Sequence, residues 1–336
     1  MLKCLISEVG AMFLIVVASI SSVFGLVGCK ERPNHIFGLP VISMDGEKLA
    51  FKVGYLGRDE KVFSAKVKPY VLKLGKDTSW VIPVQCSGLI SGMAWRRGVS
   101  PPELSIIMLP SHKPGCILTV RLSDDASIKS SQVVLPDNLI VPLITWNPAG
   151  QILAAYVNRL EEQGACLGIS YDGGKIINVT DIKILRGNLV WANDETLYLQ
   201  NGNDILEVDI SGRNPRVTKT IVSAEGVYLM ESLNGKVVYI LGNEIYCGDQ
   251  LLYRSDKEIG SVDVDGCYVA FKTDNYVVVV DEEGNVINKR AIEQDTKFIG
   301  ISVTHKFVYL MKNYQSIQRY SFDDDDDICI VYKVSG

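Results

Sequence analysis

The sequence predicts an all-β fold, a seven-bladed β-propeller of four-stranded antiparallel blades. Nearly every segment after residue 38 is a short run rich in Val, Ile, Leu and Tyr, bounded by Gly, Asn, Asp or Pro. That pattern is typical of β-strands joined by turns. No convincing stretch shows the 3.6-residue spacing of an amphipathic helix. In addition, a turn followed by a strongly apolar strand recurs seven times along the chain.

Six copies share the residue types of their turns and strands, and the copy that ends at Ile107 is weaker. The seven copies end at Phe51, Ile107, Ala155, Leu199, Ile240, Phe271 and Leu310, at intervals of 56, 48, 44, 41, 31 and 39 residues. A propeller blade takes about 40 to 45 residues, so seven copies predict seven blades. A single such sheet cannot bury both faces, whereas radial packing against neighbours can. The 31-residue interval leaves room for a misplaced copy or a three-stranded blade.

The first 28 residues are predicted to be a signal peptide and are excluded from the fold. Residues 9–28 carry no charge, and "LVGC" at 26–29 resembles a bacterial lipobox. The resemblance implies that Cys29 is acylated and becomes the new N-terminus, with 29–38 as a tether and 39–336 as the propeller domain. An uncleaved spanning helix is the alternative, because about 20 apolar residues are long enough to cross a bilayer. Either way we expect the protein in the bacterial cell envelope, attached to a membrane and facing away from the cytoplasm.

Two repeats carry a family resemblance. The segments "ISMDGEKLAF" at 42–51 and "TWNPAGQILAAY" at 145–156 resemble the WD40-like repeat of TolB-type propellers. The resemblance implies an envelope propeller, although the N-terminal α/β domain of TolB has no counterpart here. Trp95 and Trp191 precede their repeats by distances similar to that of Trp146. We therefore expect these tryptophans to occupy the same position between blades.

The stretch "SYDGGKII" at 170–177 resembles the Asp-box turn of sialidases and other propellers. In those families the turn lies between the third and fourth strands of a blade. We interpret Asp172 as the residue that accepts backbone hydrogen bonds there, and Gly174 as one that adopts positive φ. The motif is therefore predicted to close a hairpin rather than to perform catalysis.

Composition and motifs argue against several functions. After removal of residues 1–28 the chain contains 33 Lys and Arg residues and 38 Asp and Glu residues. This mildly acidic balance does not favour nucleic acid as a partner. The three histidines are scattered, so we predict neither a metal site nor a cofactor. The run Asp323–Asp327 is interpreted as the solvated loop of the last hairpin rather than a calcium site. Six cysteines follow Cys29; their spacing selects no disulfide pairing, and buried thiols are the favoured interpretation.

No catalytic constellation is visible, and we expect a non-catalytic scaffold that binds an envelope protein or cell-wall material. The alternative is a carbohydrate-active hydrolase or lyase with its site at the axial mouth. The predicted first strands of the blades are small or apolar with few charges, so we expect a narrow channel without a charged pocket. Convergence of two or more of Arg186, Glu231, Asp263 and Asp265 would favour the enzyme.

Overall fold

The computed structural model describes residues 35–43, 47–55, 66–73, 79–81, 88–110, 115–122, 128–136, 139–159, 164–171, 177–184, 187–302, 306–323 and 328–333. The predicted signal peptide, Cys29, Asp172, Gly174 and Arg186 lie outside these ranges. Within the ranges, no helix is long and apolar enough to cross a membrane.

The described residues form seven sheets of four antiparallel strands, each built from one continuous segment of the chain. Blade 1 contains β1 His35–Ile42, β2 Lys48–Tyr55, β3 Lys66–Lys73 and β4 Ser79–Val81, and blade 2 contains β5 Gly88–Arg96, β6 Glu103–Pro110, β7 Cys116–Leu122 and β8 Ile128–Val134. Blade 3 contains β9 Leu139–Trp146, β10 Leu153–Arg159, β11 Ala165–Ser170 and β12 Asn178–Ile184, and blade 4 contains β13 Leu189–Trp191, β14 Thr196–Asn201, β15 Asp204–Asp209 and β16 Arg216–Ser223. Blade 5 contains β17 Val227–Leu233, β18 Lys236–Leu241, β19 Glu244–Cys247 and β20 Gln250–Arg254, and blade 6 contains β21 Val262–Asp265, β22 Tyr268–Lys272, β23 Tyr276–Asp281 and β24 Val286–Ala291. Blade 7 contains β25 Thr296–Ser302, β26 Phe307–Lys312, β27 Ser316–Ser321 and β28 Cys329–Lys333.

The first strands of the blades contact one another in a closed ring, from β1 through β5, β9, β13, β17, β21 and β25 back to β1. The predicted seven-bladed propeller is therefore confirmed. Every repeat identified in the sequence ends on the second strand of a blade. The short interval between Ile240 and Phe271 does not remove a strand. It arises because β19, β20 and β21 have only four, five and four residues.

Among the described residues, the two ends of the ring share no strand, because blade 1 consists of β1 to β4 and blade 7 of β25 to β28. Side chains pack across the junction between these two blades. Phe51 and Tyr309 are both 0% exposed in an apolar cluster that spans this junction. The rings of Phe51 and Tyr332 approach to 4.7 Å between centroids. Such aromatic pairs contribute roughly 0.5 to 1.5 kcal/mol beyond the area they bury.

The predicted position of the tryptophans between blades is observed. Trp95 of blade 2 donates its indole N–H to the carbonyl of Val41 in blade 1, at 3.0 Å. Trp146 of blade 3 donates to the hydroxyl of Ser105 in blade 2, at 3.1 Å. Trp191 of blade 4 donates to a carbonyl of blade 3, at 3.4 Å. Each large ring thus fills a junction while its polar atom finds a partner in the preceding blade.

One face of the ring, here called the turn face, carries the turns that join first to second strands, including 147–152, 192–195 and 234–235. These turns are linked from blade to blade. Arg96 donates to the carbonyl of Gly150 at 2.6 Å, and Asp194 accepts from the backbone of Ala149 at 2.6 Å. Gly150 has φ +67, and a Cβ there would lie 1.9 Å from the carbonyl oxygen of Arg97. Only glycine fits this contact.

Further links continue the same face toward blade 6. The hydroxyl of Tyr198 in blade 4 donates to the carbonyl of Gly235 in blade 5, at 2.8 Å. Asn234 of blade 5 donates to the carboxylate of Glu282 in blade 6, also at 2.8 Å. The described turns of blades 2 to 6 are therefore fixed relative to one another.

The cysteines and the acidic run agree partly with the sequence interpretation. Among the described cysteines none forms a disulfide: Cys116, Cys166 and Cys247 are buried, whereas Cys267 and Cys329 are exposed. Burial is thus wrong for the last two. The acidic run begins after β27 and ends before β28, as expected for a hairpin loop. Its first residue, Asp323, forms an ion pair with Lys306.

Candidate functional site at the ring axis

The Asp-box-like turn connects β11 to β12, which are antiparallel neighbours and the third and fourth strands of blade 3. That placement was predicted from the sequence. Ser170, the first residue of the motif, is 0% exposed at the end of β11. The hydroxyl of Tyr171 donates to the carbonyl of Gly212 in blade 4, at 2.6 Å. The contacts of Asp172 and Gly174 themselves lie outside the described residues.

Three of the acidic residues considered in the sequence analysis interact electrostatically at the ring axis. Glu231 on β17 of blade 5 acts electrostatically on Asp263, which lies on β21 of blade 6, and Asp265 acts on Asp263 from the same strand. All three residues are half-buried. Carboxylates are thus concentrated on two adjacent first strands at the ring axis. Arg186, the fourth residue considered, is outside the described ranges.

Asp263 joins blade 6 to blade 7. Its Oδ2 accepts a hydrogen bond from the backbone nitrogen of Ile301 on β25, at 2.8 Å. A Cβ on Gly300 would lie 2.4 Å from the same oxygen. The absence of a side chain at position 300 therefore lets the carboxyl group rest directly against the backbone of the neighbouring blade.

The surroundings of Asp263 oppose its ionisation. Burial and, to a lesser extent, the charges of Glu231 and Asp265 together raise its pKa from 3.8 to about 7. The backbone N–H groups of Ile301 and Val264 have the opposite effect on this pKa. Loss of water from the charged form thus outweighs the hydrogen bonds that favour it.

Glu231 is subject to the same physical effect. Burial raises the pKa of its carboxyl group, while the positive charge of Arg97 and the backbone N–H of Ser232 oppose the rise. Arg97 follows β5 in blade 2, three blades from Glu231 around the ring. Among the ion pairs between described residues, none joins the two. The arginine therefore acts on Glu231 without forming a direct ion pair.

Chemically, the axis holds two carboxyl groups with raised pKa values on neighbouring strands. Because the pKa of Asp263 is about 7, this group can exchange protons near neutral pH. Across the described parts of the chain, no group of three or more His, Cys, Asp or Glu side chains could hold a metal ion.

The sequence places two of the three axial acids on one face of a strand, but it does not show what that face contacts. β21 reads Val-Asp-Val-Asp, and the strand alternation places both aspartates on one face. Charged residues on one face of a strand ordinarily indicate that this face is exposed to solvent. Only the closed ring shows that this face is turned toward blade 7 at the crowded centre.

A concave region lies at the junction of blades 5 and 6, and none of the three acidic residues at the axis lines it. It is a groove of about 250 Å³ lined by polar side chains, including Asp274, Tyr276 and Lys289. The ammonium group of Lys289 lies 4.9 Å from the centroid of the Tyr276 ring. The exposed face of this tyrosine is thus already partly covered by a cation.

Comparisons with known proteins bear on the fold. No family model matches the chain, and no curated protein is similar to it in sequence. Among solved structures, the β-propeller domain of the Trilobed protease from Pyrococcus furiosus, which is described as having an open velcro topology, has a TM-score of 0.62 at 10% identity. The match covers 91% of this chain and 100% of that domain.

Peptidases with a propeller are also similar. The acylaminoacyl peptidase of Pyrococcus horikoshii has a TM-score of 0.61 at 11% identity, with 88% of this chain and 52% of that one covered. One of two prolyl endopeptidases has a TM-score of 0.55 at 13% identity, with 90% and 49% covered. This chain thus spans about half the length of these peptidases. The likeness shows the fold alone.

Proposed function

We propose that this protein is a non-catalytic envelope lipoprotein whose propeller is a scaffold for binding another envelope protein or cell-wall material. The observation that carries the proposal is the linked turn face. Asp194 and Asn234 tie turns of successive blades together. A surface whose loops are already fixed loses little conformational entropy when a partner binds, which favours recognition.

Attachment to a membrane through lipidated Cys29 belongs to the same proposal. It rests on the lipobox-like residues 26–29 and on the uncharged run before them. A lipid on the N-terminus would hold the ring near the membrane surface. A single acyl chain gives only weak membrane binding, and more than one signal is needed for stable attachment.

The experiment is a pull-down of the lipidated full chain from its own membranes, compared with a variant whose turn face is altered. Asn234→Asp and Asp194→Lys change the charge of that face at two linked turns. Lys333→Glu, on the outermost strand of blade 7, is the control. Partners that remain with the control and are lost with the turn-face variant support the scaffold. Equal recovery from all three proteins argues against the turn face as the binding surface.

A second candidate function is favoured by the axial carboxyl groups. A carbohydrate-active hydrolase or lyase needs an acid and a base with separated pKa values. Glu231 and Asp263 are two carboxyl groups on adjacent strands, and the pKa of Asp263 is raised to about 7. In this proposal Asp263 would be the proton donor and Glu231 the base.

The two candidates give different results in one assay. The full chain is incubated with a panel of soluble glycans and peptidoglycan fragments, and the release of reducing ends or unsaturated products is followed. Activity that is lost in both Glu231→Gln and Asp263→Asn, and retained in Asp265→Asn, supports the enzyme. Absence of turnover on every substrate, with partner binding intact, supports the scaffold.

A further inference from the structure

The contact between blades 6 and 7 at the ring axis depends on a single acidic side chain. Asp263 Oδ2 lies 2.8 Å from the backbone nitrogen of Ile301. Because Gly300 has no side chain, that oxygen rests against the backbone of β25. The two blades are also joined by apolar side chains, among them Ala270 and Phe298, each at most 1% exposed. Farther from the axis, the guanidinium carbon of Arg290 in blade 6 lies 4.7 Å from the centroid of the Tyr320 ring in blade 7.

The charged groups around Asp263 come mainly from blades 5 and 6. Glu231 on β17 and Asp265 on β21 are both acidic and both act on Asp263. Arg97, beyond the end of β5, acts on Glu231. Among the described residues of the neighbouring strands, Lys272 lies at the end of β22 and Lys297 near the start of β25. Lys272 interacts with Lys297 and Asp274, at the opposite end of these strands from Asp265.

We propose that the contact of Asp263 with Ile301 is a proton-responsive junction, in which blades 6 and 7 are held together at the axis while Asp263 is neutral and are loosened when it ionises beside Glu231. A neutral carboxyl group still offers a carbonyl oxygen to the Ile301 N–H. Ionisation leaves that bond in place but adds repulsion from two neighbouring carboxylates and the cost of a poorly hydrated charge.

The pH range follows from linkage. In an opened junction Asp263 is hydrated and its pKa returns toward 3.8, whereas in the closed junction the pKa is about 7. Opening therefore releases a proton at every pH between these values. As pH rises through this range, opening becomes easier by up to about tenfold per pH unit. Above pH 7 both forms are ionised, and the dependence levels off.

The test is hydrogen exchange of the full chain between pH 4.5 and 8.5, corrected for the intrinsic exchange rate. We expect the protection of peptides from β25 to fall several-fold per pH unit from pH 5 to 6.5 and to become constant above pH 7.5. Peptides from β9, on the other side of the ring, are the internal control. Asp263→Asn keeps an acceptor for Ile301 and cannot ionise, so its β25 protection should be independent of pH.

Two further variants keep the result interpretable. Glu231→Gln removes a like charge, so protection should level off at a lower pH than in the wild type. This variant decides the matter if Asp263→Asn does not fold. His305→Asn is the control for histidine, because histidine titrates near pH 6.5 and residue 305 follows β25 in the sequence. Constant wild-type protection across the range, or an unchanged slope in Asp263→Asn, would overturn the proposal.

Discussion

Asp194 of blade 4 accepts a hydrogen bond from the backbone nitrogen of Ala149 in blade 3, with 2.6 Å between the two atoms. The side chain of Asn147 donates to the same carboxylate oxygen, at 3.3 Å. An exposed acid thus connects two turns of the turn face. Bonds to charged acceptors can contribute about 1.5 to 3 kcal/mol, and exposure to water reduces this.

Asp194→Ala should therefore lower the free energy of unfolding by about 1 kcal/mol. Chemical denaturation of the full chain measures the change. Glu195→Ala is the matched control, because it removes a neighbouring acid from the same turn, and it should have little effect. Equal losses in the two variants would mean that the Asp194 contacts contribute nothing specific.

The junction of blades 1 and 7 gives a second prediction. Phe51 is fully buried there, and Phe271 is fully buried at the junction of blades 5 and 6. Either Phe→Ala substitution should cost about 3 to 5 kcal/mol. Only Phe51→Ala weakens the place where the two ends of the ring meet. Limited proteolysis below the unfolding temperature should therefore cut the Phe51→Ala variant in blade 1 or 7. If Phe51→Ala and Phe271→Ala give the same digestion pattern, the junction of blades 1 and 7 is not specifically weakened.

Global stability should also depend on pH through Asp263. Its folded pKa of about 7 lies above the ordinary value of 3.8, so the folded state holds a proton that the unfolded state has released. Stability contributed by this group is present at low pH and is lost as pH rises from about 4 to 7. Asp263→Asn should thus be more stable than wild type at pH 8, by up to about 4 kcal/mol, because the two pKa values differ by about three units. Thermal melts at pH 5 and pH 8 provide the comparison, and a variant that is less stable at pH 8 contradicts it.

The Asp-box-like turn makes a prediction that rests on the sequence. If Asp172 accepts backbone hydrogen bonds in the turn, Asp172→Ala should lower stability by about 1 to 3 kcal/mol while partner binding survives below the melting temperature. Gly174→Val should lower stability at least as much, because a β-branched residue is poorly tolerated at positive φ. Thermal melts beside a binding or glycosidase assay measure both effects. An unchanged melt with abolished function would show that the turn is catalytic.

The proposed lipidation of Cys29 can be tested by following cleavage of the precursor. Replacing it with serine removes the thiol that would be acylated, so the precursor should remain uncleaved and unlabelled by a palmitate analogue. Gel mobility and lipid labelling in the producing cells report both steps. A Cys29→Ser protein that is processed and labelled like the wild type excludes the lipoprotein assignment.

The architecture could be predicted from the sequence because each blade repeats a local pattern. A turn and its apolar strand have the same form at Phe51, Ala155 and Phe271, so the number of blades follows from counting. The axial cluster could not be predicted in this way. Glu231 and Asp263 lie on different blades, and only the radial packing of first strands determines which faces meet. The polarity of a single strand does not contain that information.

Because the described blades share no strand, their strand pairing joins neighbouring segments of the chain. Each sheet can form from about 40 consecutive residues, and low contact order favours rapid folding. The contact between Phe51 and Tyr332 is different, since the loop it closes includes almost the whole propeller, and closing a long loop carries an entropic cost. During synthesis, one apolar side of blade 1 stays uncovered until blade 7 has been made and can pack against it. We therefore expect ring closure to be the final event of folding, and the period before it to be when the chain is most exposed to misassociation.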